Sequence, residues 1–467
     1  MTATTLEPDT HTRARSGSEY AGQDSQNVLA GVRRTDFRVI AQHMLSLMMR
    51  NVATPGFLFE DPVEPGRFSA PGCVIAAPSF PANSPGVDQD YVFNWTRDAA
   101  ITAMELAAAG IPVRPNAGVE PLEDYVRFAA ICQGNAIPTL AHACFTIEGV
   151  SRPWTEQNDG PALQTIAILQ AFAQLDEPTQ TLARQVIGRN LDFLADAYRQ
   201  QTTNLWEEHS GYSFFARSAQ LRCFQAIAAN TIGIPVPAGC QEAIDWLRNA
   251  LATHWDGLRY LSLIGDGTPP ADPAGPGYDP NIDIVMAAIY GAVPVTDTRL
   301  LATAAELRSQ WADPAAPTVY PVNLADERLG IGPMMGRYPG DTYDGEVSDP
   351  VPGGHPWALT TCNFAELYYR LAAEVRGGGA LPYDALSTPF FAQIGVTEST
   401  STQNAAAALE QAGDQMLQAV IYHSDNLELS EQFDGTTGYC RSVSNLTWSY
   451  AAYLSAVRAK TGLNVQG

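Results

Sequence analysis

Two adjacent carboxylates, Glu207 and Glu208, stand between an indole and a Gly-Tyr-Ser turn in the stretch Asn204-Leu205-Trp206-Glu207-Glu208-His209-Ser210-Gly211-Tyr212-Ser213. Neighbouring carboxylates repel, and an aromatic wall desolvates them. Both effects favour the protonated form of one member. A carboxyl kept protonated near neutral pH can serve as a general acid. The same letters also read as a solvated turn at a helix start, with both charges near the positive end of the helix dipole. An amphipathic helix is expected from about Ser213, carrying Ala216, Leu221, Phe224 and Ile227.

The elements that must position such groups are mostly helical. Apolar spacing and stop signals predict helices over 28–52, 99–109, 121–134, 161–175, 179–200, 213–231, 238–255, 283–290, 298–311, 356–375, 402–422 and 444–460. Strand signals are confined to 73–77, 258–264 and 318–323. Six polar, aromatic-studded loops each lead into a helix, beginning near Trp95, Asn158, Glu207, Pro280, Arg337 and Glu431. Six helical hairpins can pack as a ring of inner and outer helices, an (α/α)6 barrel, with those six loops at one rim. The expected fold is therefore mainly α. Residues 1–27 are polar and read as a disordered lead-in, and 28–467 as one catalytic domain.

Several motifs occur in a fixed order. They are Trp95-Thr96-Arg97-Asp98, Asn158-Asp159-Gly160-Pro161-Ala162-Leu163, Trp206-Glu207-Glu208 with Gly211 to Phe215, Gly336-Arg337-Tyr338-Pro339, Ser430-Glu431-Gln432, and Leu446-Thr447-Trp448-Ser449-Tyr450. In order and spacing the chain, over about 35–460, resembles the glucoamylases of glycoside hydrolase family 15. The resemblance implies an (α/α)6 barrel and an inverting exo-hydrolase that releases glucose from the non-reducing ends of α-glucans. Inversion needs an acid and a base about 6.5–9.5 Å apart with water between them. By resemblance Glu207 is the general acid, Glu431 the general base, and Glu208 a substrate-binding carboxylate whose charge helps keep Glu207 protonated. Arg97 and Asp98 match the pair that holds the terminal glucose. Arg337 matches a sugar-contacting arginine, and Tyr91, Trp95, Trp206 and Trp448 the aromatic lining of the pocket. Tyr343 and Trp357 are candidates for its outer wall.

Each assignment has a plainer alternative. Glu431 could be an exposed loop carboxylate, Asp98 a helix N-cap, Arg337 half of a surface ion pair, and any one aromatic a core residue. For Asp159 the cap is the preferred role. The chain also departs from the family. Before Asn158-Asp159 it reads Arg152-Pro153-Trp154-Thr155-Glu156-Gln157, with the indole shifted and an arginine missing, which opens the question of the second subsite. The stretch from Asp344 to Pro356 is longer than usual, carries Glu346, Asp349 and His355, and is a candidate to narrow the pocket mouth.

Composition limits the alternatives. The chain has 467 residues, is 45% hydrophobic and 16% charged, and carries a net charge of -23. No nucleic-acid partner is expected, because phosphate binding needs a basic face. No apolar run is long enough to cross a bilayer. No His and carboxylate cluster has metal-ligand spacing, and no cofactor is implied. The seven cysteines are scattered and read as small buried hydrophobes. The expected partner is a soluble oligosaccharide or polysaccharide, met by a monomer in the cytoplasm or after export without a recognisable signal peptide. No starch-binding module is recognised, so granular starch fits poorly. Other linkages (isomalto-oligosaccharide, dextran or trehalose) and a non-catalytic carbohydrate-binding role are the alternatives.

Overall fold

An outer helix of a two-layered ring needs one apolar stripe, whereas an inner helix needs apolar or small residues on nearly every face. Both kinds alternate along this chain. The computed structural model describes residues 36–462 apart from 62–63, 79–90, 110–119, 137, 231 and 346–350. In order, its elements are α1 (Phe37–Met49), β1 (Asn94–Trp95), α2 (Thr96–Ala109), α3 (Pro121–Asn135), β2 (Cys144–Phe145), α4 (Gly160–Ala171) and α5 (Glu177–Ala197). Then come β3 (Thr202–Thr203), β4 (Ser210–Ser213), α6 (Phe214–Ala228), α7 (Cys240–Ala252), β5 (Leu263–Ile264), α8 (Asp283–Ile289) and α9 (Thr298–Ala312). The chain ends with α10 (Pro321–Leu329), α11 (Ala358–Arg376), α12 (Thr388–Ala392), α13 (Thr402–His423), β6 (Ser430–Phe433), β7 (Cys440–Ser444) and α14 (Thr447–Thr461).

Helices α2, α4, α6, α8, α11 and α14 touch one another in sequence, and α14 returns to α2, so they close a ring. Outside it, α1 packs on α14, α3 on α2 and α5, α5 on α4, α7 on α6, α9 on α8, and α13 on α11. This is the expected (α/α)6 barrel. The ring is sealed where the first and last hairpins meet. There Thr447 N–H donates to the Ala76 carbonyl at 2.8 Å, and its hydroxyl to the Ile75 carbonyl at 2.6 Å. Every residue of α8 is buried, as is α4 from Gly160 to Ile168. The six connections from an outer to the next inner helix, 50–95, 136–159, 198–213, 253–282, 313–357 and 424–446, are the loops that meet the site.

Several local expectations change. The stripe expected after Ser213 is a helix buried on most faces, with Arg217, Ser218 and Gln220 also covered, because α6 belongs to the inner ring. Ser213 does cap it, accepting from Ala216 N–H at 3.2 Å. Residues 318–323 are not a strand. Pro321 starts helix α10, where its missing N–H would have had no partner anyway. Residues 73–77 form no named strand, only a bridge between Val52 and Val74. The strand expected over 258–264 shrinks to Leu263–Ile264, paired with Tyr212 and Ser213. Asp98 is no N-cap, since α2 begins two residues earlier. Asp159 occupies the cap position of α4, but its side chain bonds no helix N–H. The lead-in 1–27, the start of the helix expected from 28, and Glu346 and Asp349 lie outside the described residues.

Asn323 illustrates how the rim is tied to the helices. Buried, it donates to the Trp311 and Met334 carbonyls at 3.0 and 2.8 Å and accepts from Met334 N–H at 2.8 Å. It thereby fastens the run toward Arg337 to the end of α9. Asn323→Ala leaves the Met334 N–H and C=O unpaired, while the Trp311 carbonyl keeps the Tyr320 N–H, and is expected to lower unfolding stability by roughly 2 kcal/mol, measured by denaturant titration.

Candidate active site

A carboxylate taken out of water needs donors, and the rim loops supply them. Glu207 sits in a turn where its backbone adopts φ 67°, a left-handed conformation uncommon for a residue with a Cβ. Asn204 holds that turn. Its carbonyl accepts Glu207 N–H at 3.0 Å, and its side-chain oxygen accepts the N–H groups of Glu208 and His209 at 3.0 and 3.3 Å. The strained backbone turns the Glu207 side chain to the indoles. Oε1 accepts from Trp95 Nε1 at 2.7 Å, and Oε2 from Trp154 Nε1 at 2.5 Å. Arg97 Nη2 stands 3.7 Å away.

Glu208 faces elsewhere. Its carboxylate pairs with Arg337 Nη2 at 2.8 Å and accepts from the Tyr338 hydroxyl at 2.8 Å. Its charge is thus taken up by an arginine, so it is not the bare neighbouring charge expected beside Glu207. Arg337 in turn grips Asp341 through Nε and Nη2 at 2.8 and 2.6 Å, and the rings of Trp206, Tyr338, Tyr343 and Trp357 surround it. This is a buried, shared cation, not a surface ion pair.

Glu431 lies on β6 and is buried. The Tyr91 hydroxyl donates to Oε1 at 2.8 Å, the Tyr343 hydroxyl to Oε2 at 3.2 Å, and Ser442 also donates to Oε2. Burial pushes its pKa up, and the Ser442 and Tyr91 hydroxyls and the Arg337 charge pull part of the way back.

Arg97 and Asp98 open helix α2. Arg97 Nη1 donates to Gln157 at 2.6 Å and to Asp159 at 3.2 Å, with its guanidinium 5.1 Å from the Trp448 ring centre. Asp159 therefore serves as an arginine partner, which corrects the expectation of a helix cap. Asp98 is buried, and its Oδ2 has no hydrogen-bond partner. Burial raises its pKa to about 7 against the pull of Arg97.

All ten residues singled out from the sequence (Tyr91, Trp95, Arg97, Asp98, Trp206, Glu207, Glu208, Arg337, Glu431 and Trp448) line one cavity of about 380 Å³. That volume falls within the usual range of small-molecule sites, about 300–1,000 Å³. Trp154, Tyr343 and Trp357 line it too. Trp357 is buried against Trp206, ring centres 5.8 Å apart, and Tyr343 reaches the Glu431 carboxyl. The shifted indole, Trp154, still reaches the cavity and packs edge-on against Trp95 at 6.2 Å. Sequence reasoning missed Asn204, Ser442, Gln157 and Asn281, the last of which accepts from Trp206 Nε1 at 3.0 Å. Only Asn204 carried a local signal, as the residue opening the Glu207 turn. Asp344 and His355 of the long 344–356 loop are buried, turned toward β7 and away from solvent. Among the described residues no group of His, Cys, Asp and Glu could hold a metal ion. No described helix is long and apolar enough to cross a membrane.

A helical ring whose rim loops gather two anchored carboxyls, two buried arginines and five indoles around one cavity is the frame of a glycoside hydrolase. The family model for glycosyl hydrolases family 15 matches residues 42–458, and the chain belongs to that family. It is 28% identical over 459 residues to the glucoamylase of Blastobotrys adeninivorans, covering 88% of this chain and 70% of that one. It is 27% identical to glucoamylase 1 of Rhizopus oryzae, covering 89% and 69%. The solved glucoamylase of Hormoconis resinae superposes with a TM-score of 0.73 at 24% identity, over 92% of this chain and 74% of that chain.

The Asp98 shift has a sign. A carboxyl whose folded pKa is raised from its ordinary value of 3.8 to about 7 binds more protons folded than unfolded. Its contribution is intact below pH 4 and is lost as pH rises toward 7. Asp98→Asn is therefore expected to raise the melting temperature by a few degrees at pH 8 and to leave it nearly unchanged near pH 4. Calorimetry at the two pH values measures this, and sugar hydrolysis by the variant should fall at both.

Proposed function

We propose that the protein is an exo-acting, inverting α-glucosidase of glucoamylase type. It would take glucose from the non-reducing ends of soluble α-glucans or maltooligosaccharides, acting as a monomer, in the cytoplasm or after export. The observation that carries this reading is that Glu207 and Glu431, far apart in the chain, line one aromatic cavity and are each held by named donors.

The terminal sugar enters the cavity, where its faces pack on the rings of Trp95, Trp206 and Trp448. Its hydroxyls meet Asp98 Oδ2, which accepts no hydrogen bond, and the Arg97 guanidinium. Glu207 gives its proton to the glycosidic oxygen as the bond to the anomeric carbon breaks. Water attacks that carbon from the opposite face while Glu431 takes its proton, so the released glucose has the β configuration. A protonated carboxyl oxygen can still accept from an indole, so the Trp95 and Trp154 bonds orient Glu207 before and after the transfer. Two anionic neighbours are neutralised in place, Glu208 by Arg337 and Asp159 by Arg97.

Glu207→Gln and Glu431→Gln are each expected to lower kcat on maltotriose by several orders of magnitude, because acid–base help contributes about 10²–10⁴-fold per group. Near-normal turnover in either variant removes that residue from its role. NMR of the first product formed is expected to show β-glucose, and α-glucose would rule out inversion. A panel of maltose, isomaltose, trehalose and maltoheptaose ranks linkage preference, with the α-1,4 substrates expected to be fastest.

A further inference from the structure

The residues just after Tyr343 are fastened to the β6–β7 hairpin. Residues 343–345 run along the β6–β7 hairpin and are stitched to it at three points. Gly345 N–H donates to Gln432 Oε1 at 3.3 Å, and Gln432 Nε2 donates back to the Tyr343 carbonyl at 3.2 Å. Between them Asp344, its side chain fully buried, receives Arg441 Nε at 3.1 Å on each oxygen and a further bond from Nη2. His355 Nε2 lies 3.4 Å from the same carboxylate, and Asp434 lies 3.7 Å from the Arg441 guanidinium.

This pair is flanked by the groups that hold Glu431. Tyr343, one residue before Asp344, donates to Glu431, as does Ser442, one residue after Arg441. Ser442 has φ 63°, so its backbone is strained and stays in place only where its surroundings over-determine it. Gly345 fits so closely behind it that a Cβ there would fall 2.0 Å from Ser442 Oγ and 3.1 Å from Glu431 Oε2.

We infer that Arg441 and Asp344 are positioning residues for Glu431: their ion pair clamps 343–345 onto the hairpin and so holds the Tyr343 and Ser442 hydroxyls on the carboxyl. The inference rests on the reading of Glu431 as the base. The groups that face Glu431 are Tyr91 and Tyr343 from the rim loops, Ser442 from β7, and the Arg337 charge. Loosening the clamp withdraws two hydroxyl donors that favour the ionised carboxylate, so more alkaline conditions are needed to keep it ionised.

The test uses the full chain with maltotriose and the variants Arg441→Met, Arg441→Lys and Asp344→Asn. For Arg441→Met, kcat is expected to fall by about 10- to 100-fold, the scale of a small misplacement of a reacting group, with KM little changed. The acidic limb of its kcat/KM profile should move up by about one pH unit, the equivalent of one lost charge-assisted hydrogen bond. Arg441→Lys, which keeps the charge, should recover most of both. Asp344→Asn preserves the shape of the side chain, and it carries the same readout if Arg441→Met does not fold. A cooperatively folded variant with the original acidic limb and kcat overturns the inference and leaves the pair a loop fastener only. Glu431→Gln tells the two readings apart. If it keeps turnover, the base role itself fails. If it is inactive while the Arg441 and Asp344 variants behave like the parent, only the clamp fails.

Discussion

Two buried guanidinium groups make this pocket possible. The cavity gathers Glu207, Glu208, Asp98 and Glu431, with Asp159 and Asp341 close behind, in a chain that carries a net charge of -23. Carboxylates collected this way repel one another and lose hydration, and they stay together only if cations and donors are built in among them. Arg97 reaches Asp98, Asp159 and Glu207. Arg337 reaches Asp341 and Glu208. Each also lies against aromatic rings, which suits a weakly hydrated planar cation better than it would suit a lysine.

The ring of helices follows from the need to hold those cations at fixed separation. Arg97 leads the first inner helix, while Arg337 sits in the loop before the fifth. Neither could find all of its partners if the six hairpins did not close, because several of them come from other hairpins. Arg97 depends on Gln157 and Asp159 of the second and Glu207 of the third. Arg337 depends on Glu208 of the third. The pocket is complete only when the inner ring is closed. Substitutions at the rim should therefore be felt in stability as well as in chemistry, Asp98 being the case where burial of charge opposes the fold.

Backbone strain reaches both proposed catalytic carboxyls. Glu207 is itself in a left-handed conformation, and Ser442, which donates to Glu431, is in another. Such residues cost of order 1–3 kcal/mol each. Asn204 compensates at one site by accepting three N–H groups of the turn. At the other, the Asp344–Arg441 pair and the close approach of Gly345 do so.

Much of the ring was legible from local pattern. Inner helices such as α4 and α8 carry small and apolar residues on every face, outer ones a stripe, and Pro and Gly mark the ends, so helix existence and order follow from neighbours three or four residues apart. The residues gathered at the pocket were legible because their types and order form motifs. Their partners were not. That Glu208 is neutralised by Arg337, that Asp159 serves Arg97 and caps nothing, and that Trp154 reaches Glu207 all depend on loops that meet only after six hairpins close. Even α6, amphipathic by its letters, is buried on most of its faces because it belongs to the inner ring. The sequence by itself determined which segments are helical and which side chains could do acid–base chemistry, since both are set by residue type and short-range spacing. Only the tertiary structure decided how each charge is paired and oriented, because those energies fall off over a few ångströms and join residues hundreds of positions apart.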